Sequence, residues 1–480
     1  MNISDNVKNP KLLLFAIAIA SFMSSLDSCI VNIALPTLSV AFDVSTGLVS
    51  WVVTIYLLVL TSSLMIFGKL SDRIGFRRIF LVGFLVFVLG SLFCALSPTF
   101  IMLVISRAIQ AVGGAMLGAI SMAMVSAFMP PKLRAKAFGF VVTVASLGVA
   151  AGPFFGGILT EILSWHWIFL INIPVGIIAC VLGAAVIPSM PTRENTGSFD
   201  KLGAIYLSLA LAALIFGLNF GSSYGFTSIP ILAAFALSFG GILLFIRQEG
   251  RAPDPLLDLS LYRGRAFLFA NIGTLLVTLA YTGSEFLLPF FFEYVQGMST
   301  MTAGLYLTVP SVTLMVGGML SGSLYHRYGP RKICVVASAV YIMAFLLLAT
   351  FGVGTSSLVI ILALALLGFG IGFYYSANTS EIMSLAPREK QGMVSSLTNT
   401  ERNAGATLGI VIFELVFIHS LITISDLGGL TEGVLVNQPE LLSEVMSSAF
   451  DIAFFGGAIV AAIVLILSLF TPDPENLMGL

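Results

Sequence analysis

About fourteen apolar stretches follow one another along the 480-residue chain, each near the ~20 residues that one helix needs to cross a ~30 Å hydrocarbon core. They fall near 12–35, 46–68, 79–97, 99–128, 136–160 and 166–188, then 202–220 and 228–247, then 266–290, 302–325, 333–352, 356–380, 397–420 and 449–470. Only 9% of residues are charged, against about 25% in soluble domains, so the expected class is an all-α polytopic membrane protein. The first stretch is too long for the apolar core of a cleavable signal and contains Asp27, so it reads as a retained helix. A formal net charge of −1 with no basic cluster argues against nucleic acid as a partner. The four cysteines (Cys29, Cys94, Cys180, Cys334) lie inside apolar stretches without metal-type spacing and read as small packing residues.

Charge placement supports the count. With the N-terminus inside, Lys and Arg recur in every second connection, from Lys8 and Lys11 through Lys69–Arg78, Lys132–Lys136, Arg193–Lys201, Arg247–Arg265 and Arg327–Lys332 to Arg388 and Lys390. The alternate connections hold no Lys or Arg and carry acids such as Asp43, Glu161, Glu293 and Glu432. That pattern predicts an even number of spans, both termini cytoplasmic and residence in the plasma membrane. Only Arg107 and Arg402 fall outside it, each within an apolar stretch.

The chain also repeats itself. Gly68-Lys-Leu-Ser-Asp72-Arg73-Ile-Gly75-Phe-Arg77-Arg78 follows the second stretch, and Gly322-Ser-Leu-Tyr-His326-Arg327-Tyr-Gly329-Pro-Arg331-Lys332 follows the tenth. Two six-helix bundles, 1–190 and 261–480, joined by two extra helices within 191–260, account for the spacing. The acid- and Leu-rich connection 421–448 carries no readable chemistry.

These residues resemble the major facilitator superfamily, in its fourteen-helix drug:proton antiporter branch. The cytoplasmic signature of that branch is matched by Gly68, Leu70, Asp72, Arg73, Gly75, Arg77 and Arg78, and its first-helix signature by Leu26-Asp27-Ser-Cys-Ile-Val-Asn32-Ile-Ala-Leu-Pro36. Arg107, Gln110, Gly113, Gly114 and Ala115 match the fourth-helix signature, with Ala111 replacing a Gly. Gly148, Gly152, Pro153, Gly156 and Gly157 match the antiporter signature, and Trp165 to Gly176 a segment typical of the branch, with His166 replacing Arg. The resemblance implies a major facilitator fold of two six-helix bundles plus two central helices, and assigns Arg107 to proton transfer or coupling.

Carboxyl groups inside apolar stretches are costly, roughly 2.5–3.5 kcal/mol each on insertion scales, and usually face a bundle interior or a watery cavity. Asp27 and Arg107 fall at similar depth and are expected to share such a cavity. Glu285, Glu414 and Asp451 are further candidates for proton coupling or substrate binding, although Asp451, read as opening the last helix, also suits a helix N-terminus. Asp72 and Arg73 are expected to form a cytoplasmic latch. Its symmetric counterpart is weakened by His326, and Glu401 with Arg402 forms either part of the same gate or an internal ion pair. The glycines from Gly148 to Gly157 permit close helix approach and Pro153 a bend, a hinge expected at the interface between halves. Phe290, Phe291, Phe292, Tyr374 and Tyr375 read as packing rings first and pocket lining second.

The expected function is proton-coupled export of amphipathic, cationic small molecules by a monomer in contact with membrane lipid, alternating between inward- and outward-open states. The proton gradient supplies the energy, and no cofactor or metal is expected. An exporter of a lipid or an anionic metabolite is the alternative on the same fold. A membrane-embedded enzyme is disfavoured because the three His lie far apart and no HExxH or GxSxG occurs; no phosphate-binding loop points to ATP.

Overall fold

Lipid offers no partner for backbone N–H and C=O, so apolar runs of this length are stable there only as helices that satisfy those groups internally. The computed structural model describes residues 9–188, 200–251, 259–385, 391–427 and 439–470, and these are helical throughout, with no strand among the described residues. The boundary expected at 190/191, Arg193, Arg388, Lys390 and most of the acid-rich connection (428–438) lie outside them, as do the side chains of Asp72, Arg73 and His326.

The helices in chain order are α1 (Pro10–Ile30), α2 (Trp51–Ile74), α3 (Phe76–Ala95), α4 (Phe100–Phe128), α5 (Pro131–Ile162), α6 (Asn172–Val186), α7 (Lys201–Tyr224) and α8 (Ile229–Glu249). They continue with α9 (Arg265–Phe290), α10 (Thr300–Tyr325), α11 (Arg327–Leu348), α12 (Ser357–Leu385), α13 (Gln391–Leu427) and α14 (Pro439–Leu469). Thirteen of the described helical segments are long and apolar enough to cross a membrane. The remaining expected span, α7, offers a shorter apolar stretch, Leu202–Leu218. By internal contacts the chain divides into two units, Met1–Ser208 and Leu209–Leu480.

In the first unit α1 packs along α5, α3 along α4, α2 along α4, and α3 along α6. Past Ile30 the first span passes through a 3-10 turn, Asn32–Ala34, into a short helix, Leu35–Phe42. Pro36, which has no N–H to donate, sits in the first turn of that helix, where none is required. The glycines of α5 set the α1–α5 distance. A methyl at Gly148 would stand 2.6 Å from the Phe22 carbonyl, one at Gly152 2.7 Å from the Cys29 Cβ, and one at Gly156 2.7 Å from the Ile30 carbonyl. These glycines therefore press on α1 inside the first unit. Small residues let two backbones approach, and the backbone they meet is their own unit's.

The second unit reuses this packing. Here α9 packs along α13, and a methyl at Gly405 would stand 2.6 Å from the Leu275 carbonyl. Both units turn on a glycine with positive φ, Gly75 (φ 91°) between α2 and α3 and Gly329 (φ 74°) near the start of α11. Side chains with a Cβ avoid that region, so the repeated signature keeps Gly there in both copies. The Arg77 Nη2 donates to the Ala184 carbonyl at 2.7 Å, placing a cation on the last turn of α6.

Candidate functional site

α1 and α4 bring Asp27 and Arg107 together. Arg107 Nη1 donates to Asp27 Oδ2 at 2.8 Å, and both side chains are sealed from solvent at 0–1% exposure. Asp27 Oδ1 accepts from Gln110 Nε2 at 2.8 Å and from Asn172 Nδ2 at 2.7 Å, so α6 joins the cluster. Gln110 Nε2 also donates to Ser91 Oγ of α3 at 2.8 Å, and its Oε1 accepts from Arg107 Nη1 at 2.7 Å. Arg107 Nε donates to the Val52 carbonyl of α2 at 3.0 Å, while the guanidinium lies 4.1 Å from the Tyr56 ring centre and 5.8 Å from that of Phe169. Five helices are thus tied through one carboxylate and one guanidinium.

The pair is sealed inside the first unit rather than open to solvent. The protein's own donors occupy both oxygens of Asp27, and the rings of Tyr56 and Phe169 lie against the cation, whose Nη2 is buried without a hydrogen-bond partner. A buried pair of this kind depends on the other hydrogen bonds its two groups make; removing one partner typically costs about 3–5 kcal/mol. Of the residues in the knot, Asp27 and Arg107 were legible as chemistry, and Gln110 and Asn172 as signature positions without a role. Ser91, Tyr56 and Cys94, whose Sγ lies 3.6 Å from Gln110 Oε1, carry no sequence signal that separates them from packing residues.

Acidic candidates in the second unit are placed differently. Glu414 is buried at 5% exposure in α13, and Glu285 is half-buried in α9. Asp451 is half-buried about three turns inside α14, which begins at Pro439, so the helix-terminus explanation for it is withdrawn. Its neighbour Phe450 stacks on Phe417 and meets Phe291 edge-on. Phe290, Phe291, Phe292 and Tyr374 are all buried, so these rings pack the interior.

Glu401 and Arg402 do not pair. Glu401 Oε1 accepts from the Tyr262 hydroxyl at 2.7 Å, Tyr262 belonging to a 3-10 segment (Leu259–Arg263) ahead of α9. Burial, then the Glu401 carboxylate, push that hydroxyl above its ordinary value. The Arg402 guanidinium lies instead 4.7 Å from the Tyr375 ring centre. Of the cytoplasmic signature, Gly68 has open space where a side chain would project, and Arg78 is exposed. The pairing expected of Asp72 and Arg73 falls on side chains outside the described set. Pro153 and Gly157 are buried in α5. No group of metal-ligating side chains forms among the described residues.

The sequence profile of the Major Facilitator Superfamily matches residues 17–410. Among similar proteins, the riboflavin transporter RibZ of Clostridioides difficile is 33% identical over 86% of this chain and 90% of its own length. The multidrug transporter protein MdtP of Bacillus subtilis is 31% identical over 86% of this chain and 76% of its own. A bacterial homolog to the human lysosomal transporter Spinster, solved in an inward-facing, unoccupied conformation, superposes with a TM-score of 0.72 at 14% identity, covering 97% of both chains, which speaks to the fold alone. With a family profile spanning most of its length, spans to match and transporters for relatives, this chain is a membrane transporter rather than an enzyme, and it belongs to the Major Facilitator Superfamily.

Proposed function

We propose that this transporter exports amphipathic small molecules, cations among them, from the cell in exchange for protons. The observation that carries the reading is the sealed Asp27–Arg107 knot. An apolar core of the same shape is commonly as stable as a buried ion pair, or more so, and charge inside a membrane bundle ordinarily marks function. A proton on Asp27 removes the charge that holds Arg107, so protonation and the packing of five helices are linked. Relatives named for multidrug transport support the cargo class. In this reading the termini lie on the cytoplasmic side of the plasma membrane, Glu285, Glu414 and Asp451 are further carriers of protons or substrate charge, the monomer is the working unit, and the proton gradient is the only energy source.

Everted vesicles with an imposed pH gradient test it. Ethidium added to vesicles with wild-type protein should release protons, and a protonophore should abolish ethidium movement. Asp27→Asn should lose the proton release. Ethidium movement without proton release would sink the exchange.

The name of one relative favours a second cargo reading, a planar metabolite such as riboflavin. Uptake of labelled riboflavin, but not ethidium, by the same vesicles would select it.

A further inference from the structure

Two arginines break the charge pattern of the spans, and the structure treats them oppositely. Arg107 is sealed against a carboxylate. Arg402, in the second turn of the span Leu397–Ser425, is exposed, and no carboxylate pairs with it among the described residues. Its neighbour Glu401 points about 100° around the helix and is held by Tyr262, so it does not neutralise Arg402. A lone cation within a span is costly, roughly 2.5–3.5 kcal/mol on insertion scales.

The Arg402 side chain is nonetheless positioned. Its guanidinium lies over the ring of Tyr375 on α12, 4.7 Å from the centre. The Tyr375 hydroxyl pairs with Thr278 Oγ1 on α9, and Thr278 donates its only hydroxyl proton to the Thr274 carbonyl at 2.7 Å. Thr278 can therefore only accept from Tyr375, which holds the Tyr375 ring in place. The ring that carries the guanidinium is thus held by two helices besides its own, and the exposed guanidinium keeps N–H donors for a ligand. A planar fork of N–H donors matches a carboxylate in a bidentate fashion, and an open guanidinium face stacks an aromatic ring.

We infer that Arg402, braced by Tyr375 and Thr278, is an anion subsite that takes the carboxylate of a planar aromatic compound. The subsite lies within the second unit and does not depend on proton exchange, so it extends the cargo range beyond cations.

Equilibrium binding tests it. The full-length protein, in nanodiscs of a neutral phosphatidylcholine, is titrated into fluorescein, an aromatic carboxylate, and separately into the ethyl ester of a rhodamine, a cation of similar ring system; fluorescence anisotropy reads both. Arg402→Gln should weaken fluorescein binding by about tenfold or more, the loss of a charge-assisted bond of about 1.4 kcal/mol or more, and leave the ester's affinity unchanged. Arg402→Lys should restore part of the loss, because charge is kept while the fork is not. Tyr375→Leu should weaken fluorescein binding severalfold by releasing the guanidinium. No fluorescein binding by wild type, equal binding by Arg402→Gln, or equal weakening of both dyes by Arg402→Gln would each overturn the assignment. Failure of ethidium exchange in vesicles would count against the proton-coupled reading and leave this one standing.

Discussion

The two units carry the same helix packing around opposite interiors. Their glycine contacts set the register: Gly148 meets the Phe22 carbonyl where Gly405 meets that of Leu275, and Gly113 meets the backbone of Phe87 where Gly370 meets that of Tyr341. In that register Asp27 corresponds to Ala280, Arg107 to Leu364, Gln110 to Leu367 and Ser91 to Phe345. All eight side chains are fully buried. One unit thus fills its centre with a hydrogen-bonded ion pair, the other with methyl groups and a ring. The apolar filling has no polar group to match, whereas the polar one matches every Asp27 oxygen and leaves Arg107 Nη2 without a hydrogen-bond partner. The fold accepts either, so packing alone does not explain the polar one. The difference teaches where to look for function: at the unit whose interior is costlier than its twin's.

The sharpest way to break this comparison is to make the first unit resemble the second. Arg107→Leu alone should strand the Asp27 carboxylate and cost about 3–5 kcal/mol, lowering the melting temperature in detergent and the yield of folded protein. Combining it with Asp27→Ala should recover most of that stability, since charge and counter-charge leave together, while ethidium efflux stays lost. Recovery of efflux in the double variant would mean that the knot is only a packing element.

Leu364→Ala, at the apolar twin of Arg107, should cost about 2–5 kcal/mol through the cavity it leaves, and efflux should fall only in proportion to folded protein. Glycine contacts should matter equally in both units. Gly148→Val and Gly405→Val each force a side chain into a carbonyl 2.6 Å from the first added carbon, and each should cost about 1–3 kcal/mol by overpacking, read as matched drops in melting temperature. Smaller still are Gly75→Ala and Gly329→Ala, about 1 kcal/mol each, because both glycines hold positive φ.

The smallest expected effect belongs to the first unit alone. His166 stacks on Trp165 with ring centres 3.7 Å apart, and burial pushes its imidazole below the usual value. The folded state therefore disfavours the imidazolium: its penalty is absent at pH 8 and grows as pH falls through about 6.5, the unfolded value. Melting temperatures at pH 7.5 and 5.5 should differ slightly less in His166→Gln than in wild type. An unchanged or larger difference would assign the acid sensitivity elsewhere.

Much of the architecture was readable before any coordinates. Run length predicted the helices because a bilayer has one thickness, and the Gly-x-Arg frame predicted the repeat because one backbone conformation demands glycine twice. Asp27 and Arg107 stood out because ionised groups are rare in such runs. Their partners Ser91 and Tyr56 did not, since a hydroxyl in an apolar helix is common and says nothing about which neighbour it faces. Misplacing Asp451 at a helix start came from reading the helix as beginning where hydropathy rises, whereas the backbone is helical from Pro439.

What the residues determined by themselves is the solvent in which this chain is stable, the helices it forms there and the glycine ridges along which they approach. All three are local matters, settled by hydropathy over one span and by steric bulk at one position. Only the packed structure decided that Asp27 is shared by Arg107, Gln110 and Asn172 out of reach of water, that the α5 glycines face α1, and that Arg402 turns to a tyrosine rather than to the glutamate beside it. Those outcomes depend on which helix faces come together, and that is fixed by contacts among residues far apart in the chain.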